Sequence, residues 1–204
     1  NEQPRPEVVL ALASYKALNE FGWCKFLVTT ETIQDVVTRQ VEEHNHERNL
    51  RPTLPLLHKI TDNVSSKVME QYEESPYPRW VKLAIPQRAK TISEVCAEMN
   101  LRLHSSGIKT VTAPSILIAG CGTGQQAIET AYRFSNCQVT AVDLSLASLA
   151  YAKRKTDELH LANVKYLQAD ILDLNLLDQK FDVIESMGVL HHMNEPMKGL
   201  TMLS

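Results

Sequence analysis

Two patterns of apolar spacing divide the chain. Through the first half, hydrophobic residues recur three or four apart, the period of an amphipathic helix. Val8, Val9, Leu12, Tyr15 and Leu18 form one such stripe, ending near Gly22. Thr30 is placed to cap a second helix carrying Ile33, Val36, Val37 and Val41. The charged run 42–51 contains His44 and His46. It predicts a solvated helix end and loop; as a metal site it lacks Cys partners and a third ligand. Leu57, Ile60, Val64 and Val68 predict a third helix, stopped by Pro76 and Pro78 in the aromatic stretch 72–80. A fourth begins at Thr91, with Glu94 completing a capping box and Ile92, Val95, Cys96 and Met99 as its buried face.

From Ser115 the period changes. Short apolar runs at 115–119, 138–142, 164–169 and 181–184 end in Gly120, Asp143, Asp170 and Glu185-Ser186. Helical segments at 125–134 and 146–159 separate the first three runs. Strand and helix in alternation predict a parallel sheet with crossover helices, an α/β fold. Right-handed crossovers then set the faces on which the helices lie.

The turn Gly120-Cys121-Gly122-Thr123-Gly124 falls between the first strand and the first crossover helix. Glycines there admit positive φ and let a ligand approach the main chain. The helix that follows aims its free N–H groups at the same crevice. A plain tight turn would look the same, so the carboxylates decide. Asp143 ends the second strand, 19 residues after Gly124, where a carboxylate accepts both hydroxyls of a ribose. Asp170 ends the third strand; beside the N–H of Ile171 it can pair with an adenine edge. Helix capping is the alternative role for each acid.

Composition narrows the field. With 21 Lys plus Arg against 24 Asp plus Glu, the net charge of −3 argues against a general nucleic-acid binder. The 44% hydrophobic content is enough for a packed core. No apolar run reaches the ~18 residues of a membrane span, so no membrane association is expected. Four dispersed cysteines, Cys24, Cys96, Cys121 and Cys137, suit reduced thiols and a cytoplasmic setting. The chain opens on Asn1 and closes at Ser204 inside a helical stretch, so a piece of a longer polypeptide is expected.

These motifs, in this order, resemble the class I S-adenosyl-L-methionine-dependent methyltransferases. The resemblance rests on 116–124, on Ala141-Val142-Asp143-Leu144-Ser145, on Gln168-Ala169-Asp170-Ile171-Leu172 and on 181–193, and covers about 114–204. The segment 71–80 resembles one preceding the core in a bacterial subgroup often fused to tetratricopeptide repeats; the repeats themselves are not in this chain. The implied fold is a Rossmann-like doubly wound sheet, the first four strands of a methyltransferase core in the order third, second, first, fourth. A helical N-terminal region (1–110, lid-like at 71–80) precedes the core (111–204). Seven strands are usual in the family, so the outer edge of the fourth is expected to meet a second copy, the N-terminal helices, or the rest of a larger enzyme.

The same resemblance implies roles. Gly120, Cys121, Gly122 and Gly124 lie at the methionine part of S-adenosyl-L-methionine; Asp143 holds the ribose and Leu144 packs on the adenine. Asp170 and Ile171 take the adenine edge, and Met187 and Gly188 lie beside the sulfonium. Tyr72 and Arg79 are lid candidates, Arg79 pairing the cofactor carboxylate or else standing in an aromatic packing corner. No catalytic acid or base and no metal are assigned: His191 and His192 read as loop structure before Asn194-Glu195-Pro196, with proton transfer as the other reading. The product is S-adenosyl-L-homocysteine, and the methyl acceptor a small molecule or a protein. Glu185-Ser186-Met187-Gly188 stands where nucleic-acid amino-methylating relatives carry an Asn/Asp-Pro-Pro-aromatic motif. Two other readings stand beside it. A nicotinamide oxidoreductase fingerprint needs its third glycine at position 125, which is Gln125. A non-catalytic interaction module would use the N-terminal helices as a binding arm.

Overall fold

Pro6 opens the first helix, at a position where its missing N–H costs nothing. In the computed structural model, which describes residues 3–103 and 107–204, this helix, α1, spans Pro6–Tyr15. Asn1 and Glu2, the start of the polar opening stretch, lie outside the described residues. A second helical stretch runs as α2 (Gln34–Val37), a π-helical turn (Thr38–Glu42) and α3 (Glu43–Leu50). The expected loop at 42–51 is therefore mostly helix. No Gly or Pro interrupts the run before Pro52, and Glu and Arg are good helix formers. Thr30 does not cap it: α2 follows Ile33, whose N–H donates to the Thr30 carbonyl oxygen at 3.0 Å.

Val9, Leu18, Cys24, Ile33, Val37 and Val41 pack together in this N-terminal unit. Tyr15, expected on the buried stripe, is 91% exposed, because α1 ends there and the chain turns away. Gln40 ties the turn after α1: its Oε1 accepts the Leu18 N–H at 3.0 Å, and its Nε2 donates to the Ala13 carbonyl oxygen at 3.2 Å.

Packing divides the chain into Asn1–Leu50 and Arg51–Ser204. The segment 51–110, grouped by its helical spacing with the N-terminal region, thus packs in the same unit as the sheet. Its first helix, α4, spans Asn63–Glu74 and starts later than the apolar spacing suggested. Asp62 caps it, accepting the Val64 and Ser65 N–H groups at 2.9 Å each. Leu57 pairs instead with the edge of the sheet: its N–H donates to the Gln168 carbonyl oxygen at 2.9 Å, and the Gln168 N–H donates to that of Pro55 at 2.8 Å. The next helix, α5 (Ile92–Glu98), begins with the expected Thr91–Glu94 capping box. Ile92 and Val95 are buried, but Met99 is 58% exposed, since it lies one residue past the last turn.

The remaining elements are β1 (Ser115–Ala119), α6 (Gln125–Arg133), β2 (Gln138–Asp143), α7 (Leu146–Glu158), β3 (Val164–Gln168), β4 (Val183–Glu185) and α8 (Pro196–Met202). All strand pairs are parallel, in the order β3-β2-β1-β4. The period of two sorts the strand residues by face. Ile116 and Ile118 join Val139, Ala141 and Tyr166 against Ala127 and Ala131 of α6 and Leu149 and Ala152 of α7. Leu117, Ala119 and Val142 point the other way, into a cluster with Ile171, Leu174 and Met202. Helices thus cover both faces of the doubly wound sheet, and β1 is buried along nearly its whole length. This arrangement delivers the glycine turn, Asp143 and Asp170 to the C-terminal edge of three adjacent strands.

Candidate cofactor site

Each glycine of the turn answers to a different constraint. At Gly120 (φ +79°) an added Cβ would sit 2.2 Å from Cγ2 of Val189, so the residue must be small. At Gly124 (φ +83°), the residue preceding α6, it would lie 2.5 Å from Cβ of Ala152 and 2.9 Å from the Tyr166 hydroxyl. This third glycine lets the turn pack on α7 and does not line the cavity. Gly122 (φ +51°) is the open one: an added Cβ would meet only the Tyr77 carbonyl oxygen, at 3.8 Å.

The turn is fastened from both sides. The Gly120 and Cys121 N–H groups both donate to the Val142 carbonyl oxygen, at 2.8 and 2.9 Å. From the proline-rich segment, Trp80 Nε1 donates to the Thr123 carbonyl oxygen at 3.0 Å. Thr123 Oγ1 donates in return to the Pro78 carbonyl oxygen at 2.6 Å. The Tyr151 hydroxyl donates to the Trp80 carbonyl oxygen.

Asp143 stands at the end of β2, half-buried behind the turn. Its Oδ2 accepts the Gly122 N–H at 2.8 Å and its Oδ1 the Ser145 N–H at 3.0 Å. Burial pushes its carboxyl above the ordinary range; these backbone N–H groups oppose the shift, and the charge of Glu73 adds to it. Burial, with the charge of Asp143 adding to it, drives the Cys121 thiol well up, which keeps it protonated and inert. Asp170 is 4% exposed and caps the 3₁₀ turn Ile171–Leu177, its Oδ1 accepting the Leu172 N–H at 3.0 Å. Asp170 therefore also fills the capping role open to it from sequence, whereas the cap of α7 is Ser145 and not Asp143.

A cavity of about 560 Å³ gathers these groups, within the ~300–1,000 Å³ typical of small-molecule sites. Of the predicted residues, Gly120, Cys121, Gly122, Asp143, Leu144, Asp170, Ile171, Met187 and Tyr72 line it. Arg79 does not: its guanidinium carbon lies 4.6 Å from the ring centroid of Tyr151, the packing-corner arrangement. His192 lines the cavity and His191 does not; the two ring centroids lie 4.0 Å apart, with the planes tilted by 40°.

Glu73, Thr123, Trp80 and Ser148 went unread in the sequence. Glu73, at the end of α4, accepts the Ala147 N–H at 3.0 Å and so caps α7 from 74 residues away. Its other oxygen faces Arg51 at 3.4 Å. Glu74, the next residue, has the same chemistry, so composition alone could not single out Glu73. Among the described residues, no group of three His, Cys, Asp or Glu side chains is placed to hold a metal.

Residues 116–202 match the family model described as a methyltransferase domain. This segment has the Rossmann-like fold of the class I S-adenosylmethionine-dependent methyltransferases. The chain is similar to an uncharacterised protein of Synechococcus sp., 36% identical over 92 residues, 45% of this chain and 22% of that protein. Over 189 residues the chain is 25% identical to (S)-coclaurine N-methyltransferase of Papaver somniferum, covering 82% of this chain and 53% of the relative. The chain thus spans at most about half the length of these two relatives. Among solved structures, magnesium protoporphyrin IX methyltransferase of Synechocystis aligns with TM-score 0.48 and 17% identity, over 72% of this chain and 73% of that one.

The family's cofactor is S-adenosylmethionine, and the domain's own atoms fit an adenosyl ligand. Each Asp143 oxygen has accepted one N–H and keeps a lone pair, as two adjacent ribose hydroxyls require. Gly122 presents bare backbone, and the N-terminus of α6 adds a positive dipole end beside the turn.

Proposed function

We propose that the protein transfers the methyl group of S-adenosylmethionine to a nucleophilic atom of a small-molecule or protein acceptor. The observation that carries this reading is the single cavity in which the bare turn at Gly122 meets the strand-end acids Asp143 and Asp170. When bound, the cofactor supplies an electrophilic methyl: an acceptor lone pair forms the new bond to carbon, and the carbon–sulfur pair stays on sulfur.

The chain's own contribution is alignment and exclusion of water. Asp143 and Asp170 fix the adenosyl end. Tyr72, Tyr77 and Pro78, which also line the cavity, wall it on the side of the proline-rich segment. Met187 and Gly188 line it beside the end of β4. No acid or base is assigned to the transfer itself, since displacement at a sulfonium needs none. The acceptor gives up its proton during the reaction, and His192 is the cavity-lining imidazole closest in sequence to Met187 and Gly188.

The acceptor class stays broad because relatives are named for both nitrogen and oxygen methylation, as in (S)-coclaurine N-methyltransferase and malonyl-[acyl-carrier protein] O-methyltransferase. Nucleic acid is not expected, given the net charge of −3. The aromatic segment 71–80 supports descent from the subgroup fused to tetratricopeptide repeats. Free Cys24, Cys96, Cys121 and Cys137 support a cytoplasmic setting. No helix among the described residues is long and apolar enough to cross a membrane. β4 stands at one edge of the sheet, where a second copy could pair.

Thermal unfolding with S-adenosylhomocysteine and with NAD separates the readings. Stabilisation by the first alone supports methyl transfer, since a ligand of the folded state raises its stability. Stabilisation by NAD alone overturns it.

A further inference from the structure

The cavity reaches well past its adenosyl corner. Gln126, Glu129 and Arg133 stand three and four residues apart, on one face of α6, and all three line it. Arg133 ends α6, about 12 Å along the axis from its start at the glycine turn. Glu185 forms the facing wall. Register pairs it with Ile118, and Val183 with Ile116, so it points to the α6 face of the sheet among apolar neighbours. The strand order places it on the opposite side of β1 from Asp143 and Asp170. Its Oε2 is taken, accepting Gln126 Nε2 at 2.8 Å and the Thr130 hydroxyl at 2.9 Å. Its Oε1 makes no hydrogen bond among the described residues and faces Arg133 Nη1 at 3.6 Å. The side chain is 18% exposed, in the wall of the cavity. One carboxylate oxygen is thus held in place by two donors while the other stays open, just ahead of Met187 and Gly188 in the chain.

We infer that Glu185 selects a nitrogen acceptor, a primary or secondary amine, by taking its N–H on Oε1. The inference rests on the methyl-transfer reading above and narrows its acceptor class. An ionised carboxylate only accepts hydrogen bonds, and those from a cation are roughly twice as strong as neutral ones. It therefore favours an ammonium over an alcohol and repels a carboxylate or phenolate. Glu129 in the same wall adds a second negative charge against the one positive charge of Arg133. In the transfer, the ammonium first loses one proton to water. The nitrogen lone pair then forms the bond to the methyl carbon, and the carbon–sulfur pair stays on sulfur. The product nitrogen carries the positive charge, again opposite Glu185.

The test titrates benzylamine and benzyl alcohol, which match in size, into the full chain saturated with S-adenosylhomocysteine. Calorimetry at neutral pH is expected to show the amine bound about tenfold more tightly, the difference between an ionic and a neutral hydrogen bond. Glu185→Gln, shown to be folded by circular dichroism, should lose that preference, and Glu185→Asp should keep part of it. A measurement on the wild type needs no variant: carbodiimide coupling of benzylamine, mapped by peptide mass spectrometry, should mark Glu185. Equal affinities in the wild type, binding of neither probe, a preference that survives in Glu185→Gln, or no coupling at Glu185 overturns the inference. Glu185 would then be an inward-pointing charge that guards the edge strand β4. Failure of the wild type to bind S-adenosylhomocysteine instead removes the methyl-transfer reading beneath it.

Discussion

Trp80 and Thr123 hold one another across 43 residues of sequence, the indole N–H on the threonine carbonyl oxygen at 3.0 Å. The threonine hydroxyl returns a bond to Pro78, and Tyr151 closes on the Trp80 carbonyl oxygen. The proline-rich segment is thus a strap over the glycine turn. Thr123 is 1% exposed, so its carbonyl has little access to water as a substitute partner.

Replacing Trp80 by Phe keeps an aromatic ring and deletes the donor. A buried acceptor left unpaired costs about 1–3 kcal/mol. Urea unfolding followed by circular dichroism should show a loss of that size. Thr123→Val, which removes the bond to Pro78, should cost a similar amount. No change in either variant would mean that the strap does not secure the turn.

Gly120 and Val189 make a second testable pair. Gly120→Ala places Cβ 2.2 Å from the valine side chain and strains a residue at φ +79°. The strain alone is worth roughly 1–2 kcal/mol, and the overlap adds to it. Val189→Ala in the same molecule removes the overlap but not the strain. Partial rescue is therefore expected in a double-mutant cycle of unfolding free energies; strict additivity would contradict the clash.

Glu73 couples α4 to the site. Glu73→Ala removes the acceptor of the Ala147 N–H, and losing such a cap costs about 0.5–2 kcal/mol. Glu73→Gln keeps an oxygen there but deletes a charge that raises the Asp143 carboxyl. The pH midpoint for S-adenosylhomocysteine binding should then move lower. An unmoved midpoint in Glu73→Gln would argue against electrostatic coupling.

The pH dependence of Asp143 has a definite sign. Its carboxyl lies above the ordinary carboxylate range in the folded protein, chiefly through burial. The folded state therefore holds the proton more tightly than the unfolded chain. Its contribution to stability is present below the ordinary carboxylate value and is lost as pH rises through the raised value. Ligand binding runs the opposite way, because the ionised form is the better acceptor for ribose hydroxyls. Affinity for S-adenosylhomocysteine should rise with pH across that window in wild type. In Asp143→Asn it should be low and flat; calorimetry across acidic pH reads both.

Sequence spacing disclosed the sheet because β1 is a continuous apolar run ended by Gly120, and the short apolar-rich runs of β2, β3 and β4 end in Asp143, Asp170 and Glu185-Ser186. Gly122, Asp143 and Asp170 were legible for the same reason: strand ends are local, and topology brings them together. Contacts that depend on distant approach were not legible. For Arg79 the sequence left a carboxylate fork and an aromatic packing corner open; its guanidinium lies on Tyr151, 72 positions away, and not in the cavity wall. Leu57 and Ile60 had helical spacing, but the Asp62 cap and the pairing of residues 55–57 with Gln168 begin α4 later.

A crystal structure with S-adenosylhomocysteine tests the central claim most directly. The account predicts the ribose hydroxyls within hydrogen-bond distance of the Asp143 carboxylate and the adenine amino group on Asp170, with the homocysteine against Gly122. Ligand bound elsewhere, with both acids engaged only by backbone N–H groups, would contradict it.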